Sequence, residues 1–497
     1  MNKILIANRG EIAVRIIRTC REMGLATVAV YSVCDRNALH VRLADEAHAI
    51  GPDQASESYL RIDKLIDAAR LSSADGVHPG YGFLAENPDF ADACSRAGLT
   101  FIGPGAAAMR MMGSKTTARD IAVGAGVPVV PGGDTPDGLG YPLLVKAVAG
   151  GGGKGMRVVR APAELEGAIA LARSEALSSF GDDRVYFERM LDRPRHIEVQ
   201  LVGDAHGNIV PFVERECSIQ RRHQKLVEET PSPSVTPELR ERLLAAAAAI
   251  GRASGYTSAG TIEFLVDASG EFYFLEMNAR LQVEHPITEA VTGVDFVRAQ
   301  IEIARGVSLA DLNLTFRWPS AASGHAIEVR VYAENPEEGF LPSPGRITRL
   351  RPPSGPGIRD DTGAFEGWTV PTAYDPLVSK VIAWAPDRPG AIARMVRALT
   401  EYDVRGISTT IAFCRELVGS PAFAAADFDT TYVDRLLESN GRAGVTNGEM
   451  EEVAAIAAAI VHRRSSIVQR PSSIVGRSPI DDGRSLWAQR ARLDALR

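Results

Sequence analysis

Polar residues alternate with apolar ones along the stretch from Glu276 to Glu284. In an extended chain alternate side chains lie on the same face, so Glu276, Asn278, Arg280, Gln282 and Glu284 are predicted to share one face. Two carboxylates, an amide and a guanidinium at this spacing suit a site for a divalent cation and an anion. The alternative is the solvated face of an amphipathic strand, but such faces usually carry Lys, Thr and Ser.

A further carboxylate, that of Glu263, joins this face in a predicted hairpin that turns at residues 268–270. In a simple hairpin Glu263 lies opposite Phe274 and diagonal to Glu276, and diagonal neighbours are about 7–8 Å apart. Carboxylate and amide oxygens are the ligands that Mg²⁺ takes, and a cation relieves the repulsion between two carboxylates. The sequence therefore predicts a metal site made of Glu263, Glu276 and Asn278. The alternative is a pair of carboxylates that face water.

A run of four glycines at residues 150–153 lies between two apolar segments, 143–146 and 156–159, which are predicted to be strands. Lys146 precedes the glycines and Lys154 follows them. Because only glycine lets the main chain approach a phosphate closely, the segment predicts a phosphate-binding loop. A flexible hairpin tip is the alternative.

Two other polar segments carry weaker signals. Residues 214–225 are dense in charged side chains, and taken alone they predict a basic surface loop. His196, Glu198 and Gln200 alternate with apolar neighbours, and a lone histidine in such a strand is usually structural. Lysine is rare, with seven lysines among the 55 lysines and arginines, which makes each lysine a candidate for a role that needs a compact ammonium group.

The sequence also predicts the strands and helices that must position these residues. The first hundred residues alternate apolar strands with amphipathic helices, which predicts a parallel sheet with crossover helices. Residues 235–255 are predicted to form a helix, and the chain after Gly324 is predicted to be sheet-rich. The 497-residue length fits about three domains. The predicted class is α/β, or α+β overall.

Composition narrows the class of protein. A net charge of −7 gives no basic field for nucleic acid, and no apolar run is long enough to predict a membrane span. The five cysteines lie far apart with no Cys-x-x-Cys pair, which favours a reducing compartment. We therefore expect a cytoplasmic enzyme that uses neither nucleic acid nor a membrane as partner.

Taken together, the segments resemble the biotin carboxylase family, a branch of the ATP-grasp enzymes. The resemblance runs from Ile4 to about Tyr432, and its markers are residues 6–13, 78–84, Glu86 and Asn87, 150–156, 220–225, 276–286 and 341–345. It implies a Rossmann-like domain over 1–113 and an ATP-grasp domain over 114–310 with a mobile lid at about 131–190. A sheet-rich C-terminal domain over 324–440 and a helical extension over 447–497 complete the expected organisation.

The resemblance also implies a role for each matching residue. ATP is expected at Lys115, Lys146, Gly152, Gly153, Met156, Glu188, Leu191, His196, Gln220, His223, Glu263 and Glu276. Two ions of Mg²⁺ or Mn²⁺ are expected at Glu263, Glu276 and Asn278, and bicarbonate at Lys225, Arg280, Gln282 and Val283. Arg330 would face biotin, and the implied catalytic residues are Lys225, Arg280, Arg330 and Glu284, the last as the base.

The implied reaction is the ATP- and bicarbonate-dependent carboxylation of biotin through carboxyphosphate. Because no lysine follows Lys380, biotin is expected on a separate carrier protein, and the carboxyltransferase is likewise expected to be a different polypeptide. A homodimer is also implied. Acetyl-CoA or propionyl-CoA is favoured as the final acceptor, with pyruvate or another 2-oxo acid as the second candidate. Two further functions stay open, namely an ATP-grasp ligase that joins a carboxylate to an amine, and a catalytically silent scaffold of a carboxylase complex.

Overall fold

The computed structural model of this chain describes residues 1–148, 156–314 and 323–442. The chain divides into two units, Met1–Leu436 and Leu437–Arg497, and the elements that position the predicted site belong to the first. The predictions for Gly152, Gly153 and the extension over 447–497 lie outside the described residues.

The N-terminal region is a five-stranded parallel sheet with the strand order β3-β2-β1-β4-β5, as predicted. Its central strand is buried on both faces because helices cover them, which explains its uninterrupted apolar sequence. The strands are β1 (Lys3–Ile6), β2 (Ala26–Ser32), β3 (Glu46–Gly51), β4 (Gly76–His78) and β5 (Thr100–Phe101). The helices are α1 (Gly10–Glu22), α2 (Leu39–Leu43), α3 (Ile62–Leu71), α4 (Pro88–Arg96) and α5 (Ala106–Gly113).

A small antiparallel sheet with the order β6-β9-β7-β8 follows, and it lies within the segment expected to form a lid. The two strands predicted on either side of the glycine run are present and pair with each other. One helix packs its apolar side chains on this sheet. The elements are α6 (Lys115–Gly124), β6 (Gly132–Gly133), β7 (Leu143–Ala147), β8 (Met156–Val159), α7 (Leu165–Phe180) and β9 (Val185–Arg189).

The largest sheet has eight antiparallel strands in the order β14-β13-β10-β11-β12-β15-β22-β20. It continues across the predicted boundary between residues 310 and 324, so the two regions expected to be separate domains share one sheet. The strands are β10 (Arg195–Gly203), β11 (Ile209–Arg221), β12 (Gln224–Thr230), β13 (Ser258–Val266), β14 (Phe272–Asn278), β15 (His325–Tyr332), β20 (Ile358–Thr362) and β22 (Leu377–Ala385).

One helix beside this sheet begins where the sequence predicts it. In the helix predicted over 235–255, Thr236 is the N-cap and its hydroxyl accepts a hydrogen bond from the amide of Leu239. The helices are α8 (Pro237–Ala253), α9 (His285–Thr292), α10 (Phe296–Ala304), α11 (Arg388–Glu401), α12 (Ile411–Val418), α13 (Pro421–Ala424) and α14 (Tyr432–Arg442). The remaining strands are β16 (Glu334–Asn335), β17 (Leu341–Pro342), β18 (Gly345–Arg346), β19 (Arg349–Arg351), β21 (Thr369–Val370) and β23 (Asp403–Arg405). Within the described ranges, no helix combines the length and apolar character that a membrane crossing requires.

Candidate active site

Glu263 and Glu276 lie directly opposite each other on β13 and β14. The diagonal arrangement predicted from a simple hairpin is wrong, because a β-bulge places Leu275 as an extra residue between Phe274 and Glu276. Directly opposed residues have Cβ atoms about 4.5–5.5 Å apart. The bulge therefore brings the two carboxylates closer together than the predicted register does.

The polar segment after β14 does not stay extended as predicted, since the strand ends at Asn278 and Glu284 is the N-cap residue of α9. The side chains converge through hydrogen bonds instead. Arg280 donates to Asn278 Oδ1 and to Gln282 Oε1, each at 2.9 Å. The amides of Asn278 and Gln282 donate to Glu263 Oε1 at 3.0 and 3.1 Å. The predicted polar face is thus replaced by a cluster built around Glu263.

The ammonium group of Lys225 joins this cluster to the residue before α9. It donates to Glu284 Oε1 at 2.5 Å, to Glu198 Oε2 at 2.6 Å and to Glu263 Oε1 at 3.0 Å. Burial opposes the charged form, but the three carboxylates raise the pKa of Lys225 well above its ordinary value. Lys225 is therefore a fixed positive charge in the centre of the site.

The carboxylate of Glu284 is fully buried between two cations. Besides Lys225, it accepts a hydrogen bond on Oε2 from Arg330 Nη2 at 3.0 Å. Burial acts to raise the pKa of Glu284, but Lys225, Arg330 and Arg215 together hold that pKa well below its usual range. Glu284 is thus ionised and free of a proton.

Arg330, on β15, is held from its other side by Glu228 of the neighbouring strand β12. Arg330 Nε donates to Glu228 Oε1 at 2.6 Å, and both side chains are buried. Burial raises the pKa of Glu228 despite the opposing charge of Arg330. The guanidinium group is therefore oriented by two carboxylates, one of which also contacts Lys225.

Three of the residues predicted to bind ATP meet beside the small sheet. Lys146, on β7, forms an ion pair with Glu188 of β9, and Lys115 donates to the carbonyl of Ala147 at 3.4 Å. Burial lowers the pKa of Lys115, and the nearby ammonium of Lys146 adds to this effect while Glu276 opposes it. These two lysines place positive charge near Glu276, one of the carboxylates predicted to bind a metal ion.

His196 and Gln220 lie on buried strands of the large sheet. His196 Nε2 is 3.1 Å from Glu263 Oε2, and Gln220 is paired in register with Lys225. Burial acts to lower the pKa of His196, but Glu263 raises it above its ordinary value. His196 is therefore not isolated in its strand, because its side chain contacts the central carboxylate.

The interpretation of residues 214–225 as a surface loop is also wrong. Most of this segment is buried in β11 and β12, and only Arg222 and His223 form an exposed two-residue turn, with φ of 48° and 66°. Of the other predicted ATP contacts, Leu191 lies in the connection between β9 and β10, and Met156 is paired in register with Lys146. The described contacts do not bring His223 or Leu191 into the Lys225 cluster.

Three charged residues contact the site although they are not among the predicted site residues. They are Glu86, Glu198 and Arg215. Glu86 accepts the amide of Ala279 at 2.8 Å and Arg280 Nε at 3.1 Å, which anchors the polar segment to the N-terminal region. Glu198 receives hydrogen bonds from both Lys225 and the fully buried Arg215. For Glu198 and Arg215, the signal that could have found them is a charged residue inside a buried strand, where burial requires a partner. Glu86 lies outside the strands, and no such signal marks it.

The carboxylates of Glu263 and Glu276 have the chemistry of a divalent-cation site. Burial raises the pKa of Glu276, and the charge of Glu263 opposite raises it further. His196, Glu198 and Glu263 also offer donor atoms within 4.8 Å of one another, but the Lys225 ammonium already bridges two of them. The opposed carboxylates of Glu263 and Glu276 are therefore the better fit for Mg²⁺, and the Asn278 amide oxygen would have to leave its hydrogen bond with Arg280 to join them.

Comparison with known families agrees with this architecture over most of the chain. Residues 1–109 match the model of the biotin carboxylase N-terminal domain, and residues 328–435 match that of the biotin carboxylase C-terminal domain. Residues 115–312 match the ATP-binding domain of the carbamoyl-phosphate synthase L chain.

Three relatives match this chain over 72–99% of their own length. The chain is 49% identical to a biotin carboxylase of Nostoc, over 88% of this chain and 99% of that protein. It is 48% identical to one of the subunits of the pyruvate carboxylase of Methanothermobacter thermautotrophicus, over 94% and 95% of the two chains. The propionyl-CoA carboxylase alpha chain of Ruegeria pomeroyi is 45% identical, over 94% of this chain and 72% of the relative.

A solved structure has the same fold. The biotin carboxylase domain dimer of the Hydrogenobacter thermophilus 2-oxoglutarate carboxylase, in complex with MgADP, ADP and bicarbonate, matches with a TM-score of 0.83 and 43% identity. The match covers 87% of this chain and 97% of that one. The chain described here belongs to the biotin carboxylase family and is an ATP-dependent ligase of the ATP-grasp type.

Proposed function

We propose that this chain carboxylates biotin on a separate carrier protein, with ATP and bicarbonate as the other substrates and carboxyphosphate as the intermediate. The observation that carries the proposal is the single ammonium group of Lys225, which contacts both Glu263 and Glu284. Glu263 belongs to the pair suited to a metal and nucleotide, and Glu284 is the buried base. The Lys225 ammonium group thus connects the proposed nucleotide and metal site with the proposed site for bicarbonate.

Bicarbonate is proposed to bind against Lys225, Arg280, Gln282 and Val283. An anion that takes up part of the positive charge of Lys225 raises the pKa of Glu284, because that carboxylate then loses its strongest stabilising contact. Glu284 can then accept the bicarbonate proton while the bicarbonate oxygen attacks the γ-phosphorus of ATP. The bond to ADP breaks, and carboxyphosphate and ADP are formed.

ATP is proposed to lie between the small sheet and the large one, with its phosphates near Lys115, Lys146, Gly152 and Gly153. The remaining nucleotide contacts are those of the family pattern, at Met156, Glu188, Leu191, His196, Gln220 and His223. Glu263, Glu276 and Asn278 would hold Mg²⁺ or Mn²⁺, which when bound offsets the phosphate charge. Lys146 must leave its ion pair with Glu188 to reach a phosphate, so nucleotide binding is expected to reorganise this pair.

Arg330 is proposed to face the ureido oxygen of biotin. Carboxyphosphate breaks down to CO₂ and phosphate, the phosphate takes the N1 proton of biotin, and N1 then bonds to the CO₂ carbon. Negative charge develops on the ureido oxygen when the proton leaves, and a guanidinium group fixed by Glu228 and Glu284 stabilises that charge without reorganising.

The purified chain tests this proposal directly. With ATP, Mg²⁺ and free biotin, ADP release should depend on bicarbonate, and labelled bicarbonate should appear in acid-labile carboxybiotin. A ligase that joins a carboxylate to an amine would instead release ADP only when an amine is supplied. A catalytically silent scaffold would show no turnover with any of these substrates, and either result would refute the proposal.

For the final acceptor we propose a short-chain acyl-CoA, acetyl-CoA or propionyl-CoA, and the resemblance to a propionyl-CoA carboxylase chain supports this choice. Pyruvate is the second candidate, because a pyruvate carboxylase subunit is 48% identical. The acceptor is proposed to be used by a separate carboxyltransferase subunit. Co-purification of the native complex, followed by an acceptor screen with labelled bicarbonate, distinguishes the two.

We further propose a homodimer in the cytoplasm. The solved domain dimer of a homologue supports the first point. All five cysteines are free thiols, which suits a reducing compartment. Light scattering of the purified chain should give twice the mass of one chain, 53.3 kDa, and a monomer at micromolar concentration would contradict the dimer.

A further inference from the structure

We propose that Lys380 is a positioning residue for bicarbonate, and this inference rests on the function proposed above. Lys380 lies on β22 and its Nζ donates to the carbonyl oxygen of Val283 at 2.8 Å. Val283 stands between Gln282 and Glu284, so this contact fixes the backbone of the segment that carries the proposed base. Lys380 does not belong to the predicted set of site residues.

The ammonium group of Lys380 is completely buried but has carboxylates around it. Its Nζ is 3.1 Å from Glu11 Oε1, and the hydroxyl of Tyr81 donates to the same oxygen. Burial opposes the charged form of Lys380, but Glu11, Glu328 and Asp361 raise its pKa above the ordinary value. A charged donor therefore holds the Val283 carbonyl, and such hydrogen bonds are about twice as strong as neutral ones.

Buried side chains hold two consecutive backbone carbonyl groups of this segment. The imidazole Nδ1 of His285 is 2.7 Å from the carbonyl oxygen of Gln282, and Lys380 holds the next carbonyl, that of Val283. In a planar trans peptide the N–H points opposite to the C=O. Fixing the two carbonyls therefore also fixes the directions of the amides of Val283 and Glu284.

Lys380 is also placed beside the proposed biotin-facing residue, since it is paired in register with Arg330. Glu11 belongs to α1 in the N-terminal region, so three distant parts of the sequence meet at this one ammonium group. A lysine chosen only to balance Glu11 would not need to reach a backbone carbonyl. The contact with Val283 is what gives Lys380 a role in the reaction.

The experiment must separate this role from that of a buried ion pair. Lys380→Met removes the donor and keeps an unbranched side chain only one atom shorter, but it leaves the Glu11 carboxylate without the Lys380 cation. The double variant Lys380→Met with Glu11→Gln removes both charges, and replacing both members of a buried pair is far less destabilising than removing one. Arg240→Met is the matched control, because Arg240 is a buried cation whose two bonds to Glu214, at 2.6 and 2.7 Å, lie outside the site.

We expect the double variant to unfold at a temperature closer to that of the wild type than Lys380→Met does. Its KM for bicarbonate should nevertheless be raised by about tenfold or more, as expected for a lost charged hydrogen bond, while its KM for ATP stays unchanged. Arg240→Met should lower the unfolding temperature and leave the KM for bicarbonate unchanged.

A wild-type KM for bicarbonate in the double variant would overturn the inference and reduce Lys380 to an ion-pair partner. The inference is equally wrong if the KM values for ATP and bicarbonate rise together in the double variant and in Arg240→Met, because the effect is then a general loss of structure. If the wild-type chain itself cleaves no ATP in response to bicarbonate, the proposed function fails and this inference fails with it. A wild type that responds to bicarbonate beside an unaffected double variant refutes the role of Lys380 alone.

Discussion

Replacing the proposed base by its amide, Glu284→Gln, should abolish bicarbonate-dependent turnover while leaving nucleotide binding intact. Glutamine has the same length, but its side-chain oxygen cannot take up the bicarbonate proton at neutral pH. The side chain of Glu284 is completely buried, so no water molecule from bulk solvent replaces it easily. The affected step is proton removal during attack on the γ-phosphorus.

The size of the effect can be estimated from the role and the contacts of the carboxylate. General base catalysis contributes roughly 10²–10⁴ in rate, which corresponds to about 3–5 kcal/mol in the barrier. The folded state should survive, because Lys225 keeps Glu198 and Glu263 as partners and Arg330 keeps Glu228. Breaking a buried pair completely costs about 3–5 kcal/mol, and we expect a smaller loss since both cations remain paired.

The assay measures ADP release against bicarbonate concentration, together with labelled carboxybiotin and the affinity for ATP. Glu214→Gln is the matched control, because Glu214 is equally buried and accepts two hydrogen bonds from Arg240 outside the site. The control should lower the unfolding temperature but retain bicarbonate-dependent turnover. Turnover of Glu284→Gln close to that of the wild type would refute the assignment of the base.

Three other perturbations should give distinct results. Arg330→Met should reduce carboxybiotin formation by about 100-fold or more while bicarbonate-dependent ADP release in the absence of biotin persists; equal loss of both would contradict a role confined to biotin. Glu276→Gln should raise the Mg²⁺ concentration that gives half-maximal activity by about tenfold or more, and an unchanged Mg²⁺ titration would remove Glu276 from the metal site. Burial lowers the pKa of His40 to about 4, so below pH 6.5 the unfolded chain binds a proton that the folded chain does not. Stability should therefore fall by roughly 1.5 kcal/mol between pH 6.5 and pH 5 on account of His40, and urea unfolding of His40→Gln should show a correspondingly weaker pH dependence.

Much of the fold follows from the sequence pattern, because each element has a local cause. The uninterrupted apolar run of β1 needs burial on both faces, and Thr236 with Pro237 marks the beginning of α8. The β13–β14 hairpin is predictable because alternation and turn residues lie within 20 positions of each other. The pairing of β12 with β15 has no local signal, because the two paired strands lie far apart in the sequence.

The residue types of the site are predictable from the sequence, but its geometry is not. The sequence around Glu276 does not show the bulge at Leu275, because a bulge is decided by packing and ladder hydrogen bonds on both strands. The convergence of Arg280 on Gln282 depends on a chain that leaves the strand after Asn278. Such turns are set by the surroundings and not by spacing.

Buried charged residues explain the other omissions. Glu228 and Lys380 stand in buried strands, and a single sequence does not tell which distant residue pairs with them. Their cations and anions come from other strands and from α1. A charged residue at a position that the alternation predicts to be buried is the signal that could have identified them.

In the proposed reaction, the eight-stranded sheet sets the distance that carbon dioxide travels between two cations. β12 carries Lys225 and its neighbour β15 carries Arg330, and adjacent strands are about 4.8 Å apart. Both cations also touch opposite oxygens of one carboxylate, at 2.5 and 3.0 Å. In the proposed reaction, carbon dioxide released beside Lys225 has only about one strand spacing to diffuse before it reaches Arg330, so we expect escape to solvent to compete poorly with capture.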